Sequence, residues 1–143
     1  MTQVDFYLLS TSDAALRLRY ACVLAELEYK QGKTVYLNMQ SPEDCKAIDE
    51  KLWSFRDNSF IPHNIAGAGT APIIIGCAPN IPTTDDVLIN LCHPVPDFFS
   101  RFHHVKEIVI EEDKIKDETR KNFRYYKDRG YPLQHHKINA DTI

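Results

Sequence analysis

Residues 4–9 read Val-Asp-Phe-Tyr-Leu-Leu, a short run rich in β-formers and apolar on both faces. Successive strand residues point to opposite faces, so such a run suits a central strand covered on both sides. Comparable runs recur at 34–39, 72–76, 86–91 and 105–110. Between them lie helical patterns. Leu16, Tyr20, Val23, Leu24 and Leu27 recur on one stripe of a helix expected over 14–31, with capping residues at 10–13 and Gly32 at its C′ position. Ser41-Pro42-Glu43-Asp44 opens a second helix carrying Cys45, Ile48, Leu52 and Trp53, with Ser41 as N-cap and Pro42 at N1. Residues 59–64 form a short extended piece, 67–70 a loop, 94–102 a short helix, and 113–129 a last helix stopped by Gly130 and Pro132. Strands alternating with helices predict an α/β sandwich with a mostly parallel sheet in a single domain. At 143 residues the chain fits one domain with a core of useful size.

The four cysteines, Cys22, Cys45, Cys77 and Cys92, are scattered, with no Cys-x-x-Cys pair. No signal peptide is recognisable, because charge begins at Asp5, and no apolar run approaches the roughly 20 residues that span a bilayer. These features predict a cytoplasmic protein with free thiols and no membrane segment.

The net charge of -3 hides an asymmetry. Residues 1–112 carry 9 Lys and Arg against 15 Asp and Glu, whereas residues 113–137 carry 8 against 4. A basic patch on an acidic body suits a local acidic ligand better than a long polyanion, so strong direct DNA binding is not expected.

The chemical motifs are incomplete. Gly32-Lys33-Thr34 resembles the end of a phosphate loop, but Leu27 stands where that loop needs a glycine, and here the motif ends a helix. Gly67-x-Gly69 lacks a third glycine, since Pro72 occupies its place. The six histidines match no zinc spacing. His63 reads as a hydrogen-bonded loop histidine, and Asp85-Asp86 as a solvated strand-start turn. A small nucleotide-binding or hydrolysing enzyme built on His63, Asp86 and a thiol is one rival reading. A direct single-stranded-DNA-binding module, marked by a steep salt slope, is another. No catalytic constellation, metal or cofactor is expected.

Two features remain. Lys116, Arg120, Arg124 and Lys127 fall along one helical stripe with Phe123 beside it, and Tyr126 and Tyr131 add aromatic surface. Such a stripe is either a solvated face or a basic cleft with an aromatic floor, in which guanidinium groups clamp carboxylates. Trp53, followed by Phe55 and Phe60, is either core or an exposed patch on the sheet-edge side that docks a partner.

At these residues the sequence resembles the chi subunit of bacterial DNA polymerase III holoenzyme. The resemblance runs through Phe6-Tyr7-Leu8-Leu9, Gly32-Lys33-x-Val35, Asp49-Glu50-x-Leu52-Trp53 and Ser59-Phe60-Ile61-Pro62-His63-Asn64. It continues through Ala66-Gly67, residues 86–91 and the helix from Arg120 to Gly130. Leu-Trp followed by Ser-Phe-x-Pro-His-Asn is its most specific part. The resemblance implies a three-layer α/β/α domain over 1–137, a C-terminal tail over 138–143, and no catalysis. It implies binding of the psi subunit, which ties the chain to the clamp loader, through Trp53 and Phe60, where a helicase-like repair protein competes. It also implies binding of the acidic C-terminal tail of single-stranded-DNA-binding protein, ending in Ile-Pro-Phe, at Lys116, Arg120, Phe123, Arg124 and Tyr131. The sequence departs from the family near 79–85 and after Lys137.

Overall fold

The structure is a computed structural model that describes residues 1–57 and 60–143. Its elements run β1 (Gln3–Leu9), α1 (Ala14–Lys30), β2 (Val35–Asn38), α2 (Pro42–Ser54), β3 (His63–Ile65), β4 (Ile73–Gly76) and β5 (Val87–Asn90). A 3-10 helix (Asp97–Arg101), β6 (His104–Val109), α3 (Asp113–Asp128) and β7 (Leu133–Ile138) follow. The strands form one sheet in the order β3-β4-β2-β5-β6-β1-β7, every neighbouring pair parallel. Ser59, part of the expected extended piece, lies outside the described residues.

The apolar runs are explained by burial on two faces. Tyr7, Leu9, Leu37, Ile75 and Ile89 point to one side and pack with Leu24, Ile48 and Leu52 of α1 and α2. Val4, Phe6, Tyr36, Leu88 and Val105 point to the other and pack with Phe99, Phe102 and Tyr126. These are the three expected layers. α2 starts as its sequence predicts: Pro42 is its first residue, and Ser41 Oγ accepts from Asp44 N at 3.2 Å. Gly32 takes a φ of +79° after α1, a conformation that costs glycine nothing.

Three expectations need correction. The stripe on α1 does not include Leu27, which is 52% exposed; the buried face is turned toward Ala21, Leu24, Ala25 and Glu28. The alanines allow close approach, and Glu28 reaches Lys106 Nζ at 2.9 Å beneath the helix. Tyr126 adds no aromatic surface, being fully buried. The sequence predicts no strand after the last helix, yet β7 pairs with β1 from Val4↔Leu133 to Leu9↔Ile138, and Ile138 and Ile143, assigned to a tail over 138–143, pack against the core. β7 is a polar edge strand, so it lacks the apolar pattern that marks the other strands.

Candidate functional site

α3 is fixed by one buried polar cluster. Its inward residues, Thr119, Asn122 and Tyr126, are spaced for one helical face. Tyr126 donates its hydroxyl to Glu107 Oε2 at 2.7 Å, and Asn90 Nδ2 donates to the same oxygen at 2.7 Å. Asn122 Nδ2 reaches Glu107 Oε1 at 3.3 Å. Burial pushes the Glu107 carboxyl up, and these donors only partly offset it. The cluster sets the roll of the helix, which turns Lys116, Arg120, Phe123, Arg124 and Lys127 away from Glu107.

Phe123 closes over the sheet margin. Its ring meets Phe6 edge-on at 5.5 Å and His135 at 5.2 Å, while Lys127 Nζ lies 6.0 Å from its centroid. His135 stands beside Phe6 in register, and Lys137, two residues on, stands beside Leu8 on the same face. The result is a surface strip between α3 and β7 with aromatic rings at its base. Arg120 and Arg124 are exposed and form no salt bridge with any described residue. Lys116 is engaged, its Nζ lying 2.8 Å from Glu111 Oε2. Tyr131 stands apart from Phe123, packing edge-on against Phe99 at 5.0 Å. Sequence reasoning missed His135, Lys137 and Glu111. The first two lie on the strand it did not find, and Glu111 precedes the helix whose spacing drew attention to the stripe.

The second surface lies at the opposite edge of the sheet. Trp53, 54% exposed, projects from the last turn of α2, and Phe60 is 73% exposed with its ring 5.6 Å away. His63 of edge strand β3 supports the Trp53 ring from 4.6 Å. Its own side chain is sealed from solvent, Nδ1–H donates to Ile61 O at 2.6 Å, and Nε2 lies 3.3 Å from Asp49 Oδ1. Phe55 is buried. Trp53 and Phe60 therefore form a surface pair rather than core.

His63 and Asp86, named in the rival enzyme reading, are each held in structural contacts. Asp86 accepts from Thr34 N and Oγ1 at 2.8 and 2.9 Å, bonds that hold its carboxyl below the usual range. Burial pushes the Cys22 thiol up to about 12, far from a reactive thiolate. Among the described residues no group of three or more His, Cys, Asp or Glu could hold a metal ion, and no helix is long and apolar enough to cross a membrane.

Comparisons agree with the resemblance carried by the motifs. The family described as DNA polymerase III chi subunit, HolC, matches residues 1–134. The DNA polymerase III subunit chi of Pseudomonas aeruginosa is 41% identical over 139 residues, covering 96% of this chain and 98% of the relative. That of Haemophilus influenzae is 31% identical over 133 residues, covering 90% and 92%, and that of Escherichia coli 30% over 141, covering 93% and 96%. Among solved structures, T4 UvsW superposes with a TM-score of 0.67 at 10% identity, over 97% of this chain and 42% of that one, a likeness of fold alone. By a family match over residues 1–134 and kinship along nearly its whole length, the chain belongs to the DNA polymerase III chi subunit family.

Proposed function

We propose that this chain is a non-catalytic replication adaptor of the cytoplasm. It takes the acidic C-terminal tail of single-stranded-DNA-binding protein on the strip between α3 and β7. It docks the psi subunit of the clamp loader, or in its place a helicase-like repair protein, on Trp53 and Phe60. The observation that carries this reading is the pairing of two guanidinium groups in no salt bridge with a described residue, Arg120 and Arg124, with the half-buried Phe123 ring. A peptide tail that ends in a phenylalanine brings carboxylates and one ring. Guanidinium groups bind carboxylates through charge-assisted, often bidentate bonds, and an aromatic floor receives the ring. Lys116 and Lys127 add a positive field that steers an acidic chain to the strip.

The placement of the two surfaces also supports an adaptor. β3 and β7 are the two outermost strands, so partners at the two edges need not touch each other. An immobilised tail peptide should capture the chain, and the captured chain should then capture psi. If bound psi released the chain from the peptide, the adaptor reading would fail.

A further inference from the structure

β2 and β5 are neighbours in the sheet, yet the chain leaves them in opposite directions. Gln40 leads from β2 into α2 on one face, while Cys92 leads from β5 over the other face toward the 3-10 helix. Where loops part in this way, an open parallel sheet leaves a ligand-binding crevice outside the carboxyl ends of its strands. Here the crevice has a volume of about 540 Å³. Pockets of that size hold small molecules.

Its hydrogen-bonding character follows from the bonds around it. Asn122 donates Nδ2 to Cys92 O at 3.1 Å, which turns its Oδ1 toward His93 Nδ1 at 2.7 Å. Nδ1 therefore carries the donated proton, and the Nε2 of a neutral ring is left as an acceptor. Asn38, 3% exposed, gives Nδ2 to Asn90 Oδ1 at 2.9 Å, and its own Oδ1 receives no hydrogen bond from any described residue. Gln40 Oε1 accepts from His93 N at 2.9 Å, which leaves the Gln40 amide hydrogens to donate. Asn38, Gln40 and His93 all line the crevice, together with the apolar Met39, Val95 and Phe98. Asn38, His93 and Gln40 thus offer two acceptors and a donor to a crevice whose lining is otherwise mostly apolar, with Asn80, Asp97, Ser100 and Arg101 as its other polar residues among those described.

Charge defines the ligand further. Among the described residues Asp97 and Arg101 are the only charged ones lining the crevice, and they cancel. The nearby N-terminus of α2, which would otherwise favour a phosphate, carries Glu43 and Asp44 in its first turn. An aminated heteroaromatic ring presents an N–H donor beside a ring acceptor on one edge and a second N–H toward the neighbouring edge, with flat apolar faces suited to Phe98. We propose that this crevice binds an uncharged nucleobase carrying an exocyclic amine, as the free nucleoside.

The test is a titration of adenosine and cytidine into the isotopically labelled full chain, followed by amide NMR. The expected result is saturable shifts clustered at residues 38–40 and 92–93, with Kd on the order of 0.1–1 mM for a ligand of this size. Purine riboside, which lacks the amine, should bind about tenfold more weakly, because the acceptors would be left unpaired. AMP should bind no more tightly than adenosine. Phe98→Ala should weaken binding about fivefold or more through lost ring contact, with the remaining spectrum unchanged. Shifts absent or scattered over the surface with both nucleosides, equal binding of purine riboside, or tighter binding of AMP would each overturn the assignment.

Discussion

Lys116 Nζ lies 2.8 Å from Glu111 Oε2, so the N-terminal end of the basic stripe already holds a carboxylate of its own chain. Hydrogen bonding from Lys116 and the charges of Lys116 and Arg120 hold the Glu111 carboxyl below its ordinary range. Glu111 thus occupies the position where a ligand carboxylate would meet Lys116. Glu111→Gln should tighten binding of the tail peptide by about two- to fivefold at low salt, an effect that shrinks as salt is added. In a Lys116→Ala background the gain should vanish. Peptide titrations of the two single variants and the double variant measure this.

Trp53→Ala should leave the fold intact, because half of the ring is already in solvent. Psi binding should weaken by about 2–4 kcal/mol, the cost of losing an aromatic anchor. Tail-peptide affinity should stay within about twofold, since distant sites add independently. A thermal melt beside the two binding measurements separates loss of the anchor from loss of the fold.

The Glu107 cluster holds α3, and the strip depends on the roll of α3. Tyr126→Phe removes one of the donors that stabilise the buried carboxylate, which should cost about 1–3 kcal/mol of stability. Burial has raised the Glu107 pKa, so the folded chain keeps that proton to higher pH than the unfolded chain. Its contribution to stability therefore falls as pH rises above about 4.3, the unfolded value. Losing the Tyr126 donor raises the folded value further. The deficit of Tyr126→Phe should accordingly be larger at pH 7 than at pH 5 in denaturant unfolding.

Much of the architecture was legible because burial on two faces leaves a mark. The run of 4–9, and Ser41-Pro42 ahead of α2, predicted β1 and the start of a helix, and both stand where expected. β7 left no such mark: Gln134-His135-His136-Lys137 is polar throughout, and the strand exists because β1 offers it an open edge. The same blindness hid half of the candidate site, since His135 and Lys137 belong to that strand. Helical spacing put Lys116, Arg120 and Arg124 on one stripe but could not show that Lys116 has a partner. It assigned Tyr126 to the surface because spacing carries no information about Glu107, a buried acid on another element. Asn38 and Asn90 gave no signal as lone amides in apolar strands; their bond forms only when β2 and β5 lie side by side.

β7 is joined to its neighbours by charge as well as by backbone. Asp5 on β1, 4% exposed, accepts from His104 Nε2 on β6 and from His136 Nε2 on β7, the latter at 3.2 Å. Burial raises the Asp5 pKa, but the two histidine hydrogen bonds outweigh it and leave the carboxyl below its ordinary value. A carboxylate held down in the folded state stabilises above its unfolded pKa, about 3.9, and that stability is lost as pH falls through the folded value. Asp5→Asn should therefore be less stable than wild type at pH 7 and should lose less on acidification below about pH 4. Hydrogen exchange at 133–138 should show whether β7 is the first segment to open in the variant.

The central claim is that the strip between α3 and β7 receives an acidic tail through Arg120. Its most direct test is a fluorescence-anisotropy titration of a labelled tail peptide into wild type and Arg120→Ala. Arg120 lies at the centre of the stripe and forms no salt bridge with any described residue, so its loss should cost about 1.5–3 kcal/mol of binding. Lys116→Ala should cost less than about 1 kcal/mol, because that ammonium is already shared with Glu111 in an exposed pair. A peptide without its final phenylalanine should bind poorly to both. Equal affinity of wild type and Arg120→Ala for the intact peptide would contradict the account and remove the site from this helix.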